Sequence, residues 1–172
     1  MFDKDIKVFG KHASYIKFLS KKTAELKKDF VGAEIFRRYI DVYIAGAIIG
    51  LVKNRKADVD ATPNGDSAMI FASAVINEQS KLKLLYRTAL LIDNKSLSDD
   101  DRIDLAFRYD TNEMKLKEGM EVFNSYARGG IEWLYEKFTE NATSKEDYLE
   151  RLANIVLEFN QDYSGSMPND DN

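Results

Sequence analysis

A chain of 172 residues with 44% hydrophobic and 31% charged content has the make-up of a soluble globular protein large enough to close one core. It has no cysteine, which excludes disulfides and thiolate chemistry, and its one histidine excludes a His-rich metal site and any His-based triad that does not use His12. The net charge of −4 conceals a split, with residues 1–56 at +7 and residues 57–172 at −11.

A basic first third on an acidic protein points to a polyanion or an acidic partner. The start, Met1-Phe2-Asp3-Lys4-Asp5, alternates charges and lacks a long apolar core, so a secretory leader is not expected. The longest apolar run, Val42 to Val52, is eleven residues. A membrane span needs about 18, so the run reads as a buried helix. A reducing, cytoplasmic setting is the expectation.

Phe2, Ile6 and Phe9 read as a short turn or arm. The first helix is expected from about Lys11 to Lys28, because Ala13, Ile16, Leu19, Leu26 and Phe30 recur at three- and four-residue steps. The second covers about Ala33 to Asn54. Its second half is apolar on all sides, which marks a central helix surrounded by others. Gly46 and Gly50 sit four residues apart inside it. Each costs roughly 1 kcal/mol relative to Ala, so the spacing requires either close approach of another helix or a ligand passing over the backbone.

Asp58 to Asp66 reads as a loop with turn chemistry at Pro63-Asn64-Gly65-Asp66. A long third helix is expected from Ser67 to Asp93, with the stripe Phe71, Val75, Glu78, Leu82, Leu85, Ala89, Ile92. Glu78 interrupts that stripe. Either the helix bends there, or the carboxylate meets Arg87 or an arginine of another helix. Ser98 caps a short helix to about Tyr109, with Asp99, Asp100 and Asp101 favourable in its first turn; a strand over Ile103–Tyr109 is rejected. The fifth helix covers about Asn112 to Glu140, with Gly129-Gly130 as a kink or a tight contact. The sixth starts at Ser144 and buries Leu149, Leu152, Val156, Phe159 and Tyr163. Residues 164–172 read as a disordered acidic tail.

Chemistry is sparse. His12 stands in a Lys-rich turn without an evident orienting carboxylate. Counting a calcium loop from Asp60 puts Phe71 where a bidentate Glu is needed, so the motif fails. No phosphate-binding, dinucleotide or nucleophile-elbow motif occurs. Arg128-Gly129-Gly130 resembles an RGG element only superficially. The remaining lead is the basic set Lys21, Lys22, Lys27, Lys28, Arg37, Arg38, Lys53, Arg55 and Lys56. Several cations on one face would suit a phosphate backbone. The same residues also suit the wet face of amphipathic helices, a helix C-terminus, or pairing with the acidic helices.

The stretch Phe36-Arg37-Arg38-Tyr39-Ile40-Asp41-Val42-Tyr43, with Ala47-Ile48-Ile49-Gly50-Leu51 and Asn54-Arg55-Lys56 after it, resembles a local pattern of one protein group. The group is the small proteins associated with bacterial DNA phosphorothioation and related anti-phage operons. The resemblance covers about 20 of the 172 residues. It implies a place in DNA defence and carries no functional residue over.

These readings give an all-α, single-domain bundle of about six helices over residues 1–163, built around the helix 33–54. The core is expected at Phe36, Ile40, Ile44, Ile48, Leu51, Phe71, Val75, Leu82, Leu85, Phe123, Leu134, Leu152 and Phe159. The leading function is a non-enzymatic cytosolic accessory or adaptor protein. It would act through a protein partner or as a homo-oligomer, with no cofactor and no membrane, in a DNA-associated or anti-phage complex. The alternatives are a nucleic-acid-binding module using the basic helices, and a metal-dependent enzyme built on Glu78, Asp41, Asp104 and Glu113.

Overall fold

The structure is a computed structural model. It describes residues 1–20, 35–62, 65–93, 97–140 and 145–164. In chain order the elements are β1 (Ile6–Phe9), α1 (Gly10–Leu19), α2 (Tyr39–Val52), β2 (Ser67–Ile70), α3 (Ala72–Asn77), α4 (Gln79–Asp93), α5 (Asp99–Phe107), α6 (Glu113–Thr139) and α7 (Lys145–Ser164). The protein is mostly helical, as the periodicity requires, with one small sheet. Among the described residues no helix is long and apolar enough to cross a membrane.

The sheet corrects the expectation for two segments. β1 and β2 pair antiparallel, with Ile6 opposite Ile70 and Val8 opposite Ala68. Val8, Ala68 and Ile70 are buried, while Lys7, Phe9, Ser67 and Met69 face outward. This period-two burial is too short to stand out in sequence, and neither strand has a hairpin turn to announce it. It ends the expected third helix at its start: Phe71 has extended backbone and caps α3, and it is 67% exposed rather than core.

Glu78 breaks the same helix a second time. Its φ of −104° separates α3 from α4, and its carboxylate accepts from Arg38 Nη2 at 2.9 Å and Lys81 Nζ at 2.7 Å. The bend and the arginine partner therefore both occur. The expected starts of α5 and α6 hold. Ser98 accepts from the Asp101 N–H at 3.1 Å, and Asn112 accepts from the Lys115 N–H at 3.0 Å.

The hub is α6 rather than α2. It packs against α1, α2, α4 and α7 and contributes Phe123, Tyr126, Ala127, Ile131, Leu134 and Phe138 to the core. Its crossing with α2 is made by small residues. A Cβ on Gly46 would stand 2.8 Å from the Ala127 carbonyl oxygen, and one on Gly50 or Gly130 would collide with opposing backbone. Close helix approach is thus what the glycines of both helices provide.

Two further expectations fail for one reason. Ile48 is 42% exposed and Leu152 39% exposed. Phe159 packs on the core as expected, but its neighbours on the packed edge of α7 are Tyr148 and Ile155, a face rotated from the expected one, so Leu149, Leu152 and Val156 point away from the core. The apolar side of α2 that carries Ile48 and Val52 likewise lacks a covering helix among the described residues. The cap expected at Ser144, the side chain of Tyr163 and residues 165–172 of the expected tail lie outside the described residues, while Ser164, expected in that tail, ends α7.

Candidate functional site

Those uncovered side chains share one place. Between α2 and α7, above the α6 residues Leu134 and Phe138, runs a groove of about 310 Å³. Ile48 and Ile49 form one wall, and Leu152 and Val156 the other. Eleven of its twelve lining residues are apolar, Asn160 being the exception. The groove offers nothing for acid–base chemistry and little to orient a polar molecule. It is suited to receive apolar side chains.

At one end the groove meets a cationic rim. Lys53 Nζ lies 3.3 Å from Glu158 Oε1 and 5.8 Å from the centre of the Trp133 ring. Lys137 Nζ sits 5.6 Å above the same ring and reaches the other oxygen of Glu158 at 3.5 Å. The Phe159 ring stands edge-on to Trp133. These contacts fix α7 to α6 at that end of the groove.

The sequence-derived basic set is scattered by the fold. Lys21, Lys22, Lys27 and Lys28 lie outside the described residues. Arg37 is exposed ahead of α2. Arg38 bridges Asp41, at 2.6 Å, and Glu78; these two carboxylates raise its already high pKa further. Arg55 forms a two-bonded fork on Glu136 at 2.6 and 2.7 Å, with Glu132 at 3.5 Å. Lys56 pairs with Asp93 and lies over the Tyr126 ring at 5.1 Å. Lys53 and Arg55 to Lys56 therefore meet carboxylates of α4, α6 and α7 inside the chain. The charge split along the sequence is in this part an intramolecular complementarity.

A second polar cluster was not legible beforehand. His12 is fully buried on α1, and its Nε2 lies 3.0 Å from Glu132 Oε1. Lys11 Nζ reaches the same oxygen at 2.8 Å. Burial pushes the His12 pKa down, against the pull of Glu132. Burial also works to raise the Glu132 carboxyl, but Lys11 and His12 outweigh it and hold the group below its usual range. Glu132 lines an open cleft with Lys11, Lys56, Asp58 and Asp60. Asp60 is held down to about 2 by hydrogen bonds from Thr62 and the Lys11 N–H. His12 itself does not reach that cleft, which leaves it a positioning and packing group rather than a general base.

The carboxylates considered for a metal do not gather. Asp41 and Glu78 meet only through Arg38, Asp104 pairs with Arg108 at 3.1 Å, and Glu113 lines a separate cleft near Met1. Among the described residues no three His, Asp or Glu side chains are placed to hold a metal ion. Compared with family models, curated proteins and solved structures, the chain matches none of them significantly.

Proposed function

We propose that this is an accessory or adaptor protein that works by docking an apolar helical segment of a protein partner into the α2–α6–α7 groove. One observation carries the reading: among the described residues, an open channel of about 310 Å³ walled by Ile48, Leu152 and Val156, with a single polar lining residue. A helix laid in such a channel buries side chains at three- and four-residue spacing, the usual mode of helix-in-groove recognition. Contiguous exposed apolar surface of this kind marks a binding face in a globular protein.

Direct nucleic-acid binding is the weaker reading, since Arg38, Lys53, Arg55 and Lys56 each face a carboxylate of the same chain. A place in a DNA-associated or anti-phage complex rests on the local sequence resemblance alone.

The test is affinity capture from the native cell with the full chain and with Val156→Asp and Ile48→Asp, both checked by circular dichroism for an intact fold. Loss of the same specific partner from both variants supports the groove. A partner retained equally by wild type and both variants refutes it.

A further inference from the structure

A second surface lies on the opposite side of α2, along the free edge of β1. The Gly10 N–H donates to the Asp66 carbonyl at 2.8 Å. In an antiparallel pair bonded positions alternate, so Val8–Ala68 and Ile6–Ile70 are the bonded pairs. The N–H and C=O of Lys7 and the N–H of Phe9 then point away from β2. None of the three has a hydrogen-bond partner among the described residues.

Beside them is a slot of about 60 Å³. All four residues of β1 line it and no residue of β2 does. Inward- and outward-facing residues of one strand can share a cavity only along the strand's edge, so the slot runs along the edge remote from β2. Val59 forms the far wall, and Tyr43, Asn124 and Arg128 lie beneath. Asp60, packed against Gly10, stands at one end. The space is several times what a single water requires and takes a carboxylate group.

The polar side chains beneath the slot offer donors, and the Asp60 carboxylate at its end is taken up by the Lys11 N–H and Thr62. The Tyr43 hydroxyl donates to Asn124 Oδ1, which leaves the Asn124 amide nitrogen without a partner among the described residues. Arg128 gives Nε to the Ala57 carbonyl at 2.8 Å and Nη2 to Glu121 at 2.5 Å, leaving Nη1. Neither free nitrogen is among the buried unpaired atoms, so both reach solvent. Lys7 adds a cation on the strand itself.

We infer that β1 accepts an extended peptide as an added strand, and that an acidic side chain of that peptide enters the slot to meet Asn124 and Arg128. The backbone of Lys7 and Phe9 supplies the pairing, and the donors supply the selectivity, the division of labour usual for strand addition. The occupant is a protein segment in β conformation, distinct in kind from the helix proposed for the groove. Two such surfaces are what an adaptor needs.

The experiment is an amide NMR titration of the full ¹⁵N-labelled chain. The probe is a pool of capped seven-residue peptides with a central glutamate and valine, threonine or serine elsewhere. The Lys7 and Phe9 amides should shift and gain exchange protection. A matched glutamine pool should bind at least tenfold more weakly. Lys7→Pro removes an edge donor without removing a ladder bond; it should weaken binding tenfold, and Lys7→Ala by much less. No shift at Lys7 and Phe9 at millimolar peptide, or shifts confined to groove residues such as Ile48 and Val156, overturns the inference. Equal binding of the glutamine pool overturns the assignment of the acidic side chain.

Discussion

His12 Nε2 and Glu132 Oε1 lie 3.0 Å apart and tie α1 to the middle of α6 across 120 positions of sequence. The imidazole has no exposed surface, and its Nδ1 has no hydrogen-bond partner among the described residues. A proton added there would be held away from bulk solvent. Burial accordingly lowers the pKa from its ordinary 6.5, with Lys11 and Arg128 adding repulsion and Glu132 opposing them.

The sign of the pH effect follows. Near pH 6.5 the unfolded chain takes up a proton that the folded chain does not. The His12 contribution is therefore whole above that pH and falls as the pH drops from there toward the folded value. Urea denaturation between pH 8 and pH 5 should show the midpoint falling on acidification. His12 is the sole histidine, so His12→Gln should flatten that part of the profile. A variant that keeps the wild-type slope would refute the assignment.

Glu132→Gln removes the carboxylate that Lys11, His12 and Arg55 share. Hydrogen bonds to a charged, largely buried group support an expected loss of about 2 kcal/mol at pH 7. The wild-type carboxyl lies below its ordinary value of 4.5, so its contribution is present above that pH and disappears as the pH falls through the folded value. Denaturation at pH 7 and pH 3 should show the gap between variant and wild type closing at the lower pH.

Gly130→Ala forces a methyl group into the backbone of α2 at Gly46. Overpacking against an atom that cannot rotate away should cost about 3 kcal/mol, despite alanine's better helix propensity. Ala153→Gly, on the exposed side of α7, is the contrast and should cost about 1 kcal/mol. Thermal and urea melts of the two variants check the order.

Lys53→Ala and Lys56→Ala remove cations already matched by Glu158 and Asp93. Fluorescence anisotropy with a labelled duplex at low salt should give the same affinity for both variants as for wild type, within twofold. A several-fold loss with a shallower salt slope would instead restore a nucleic-acid role to this end of α2.

Local features were readable in advance. The cap at Ser98, the start of α6 near Asn112, and the close approach signalled by Gly46 and Gly50 all depend on neighbours within a few residues or on the size of a side chain. The rest depends on distance. The pairing of Ile6–Phe9 with Ser67–Ile70 uses two four-residue strands some sixty positions apart. Glu132 looked like any polar residue on a helix, because nothing near it in sequence names His12. The face of α7 was misjudged because it carries two adjacent apolar edges, and periodicity cannot say which one meets α6. That misjudged edge became the groove wall, so the error and the candidate site share one cause.

The glycine crossing also decides what can move. With Gly46, Gly50 and Gly130 seated against opposing carbonyls, α2 and α6 mesh like teeth and cannot slide past one another without rupture. Helix α7 is attached through long side chains such as Phe159 and Lys137, which can swing between rotamers. Any widening of the channel therefore falls to the part of α7 beyond those contacts, with α2 and α6 acting as a fixed jaw.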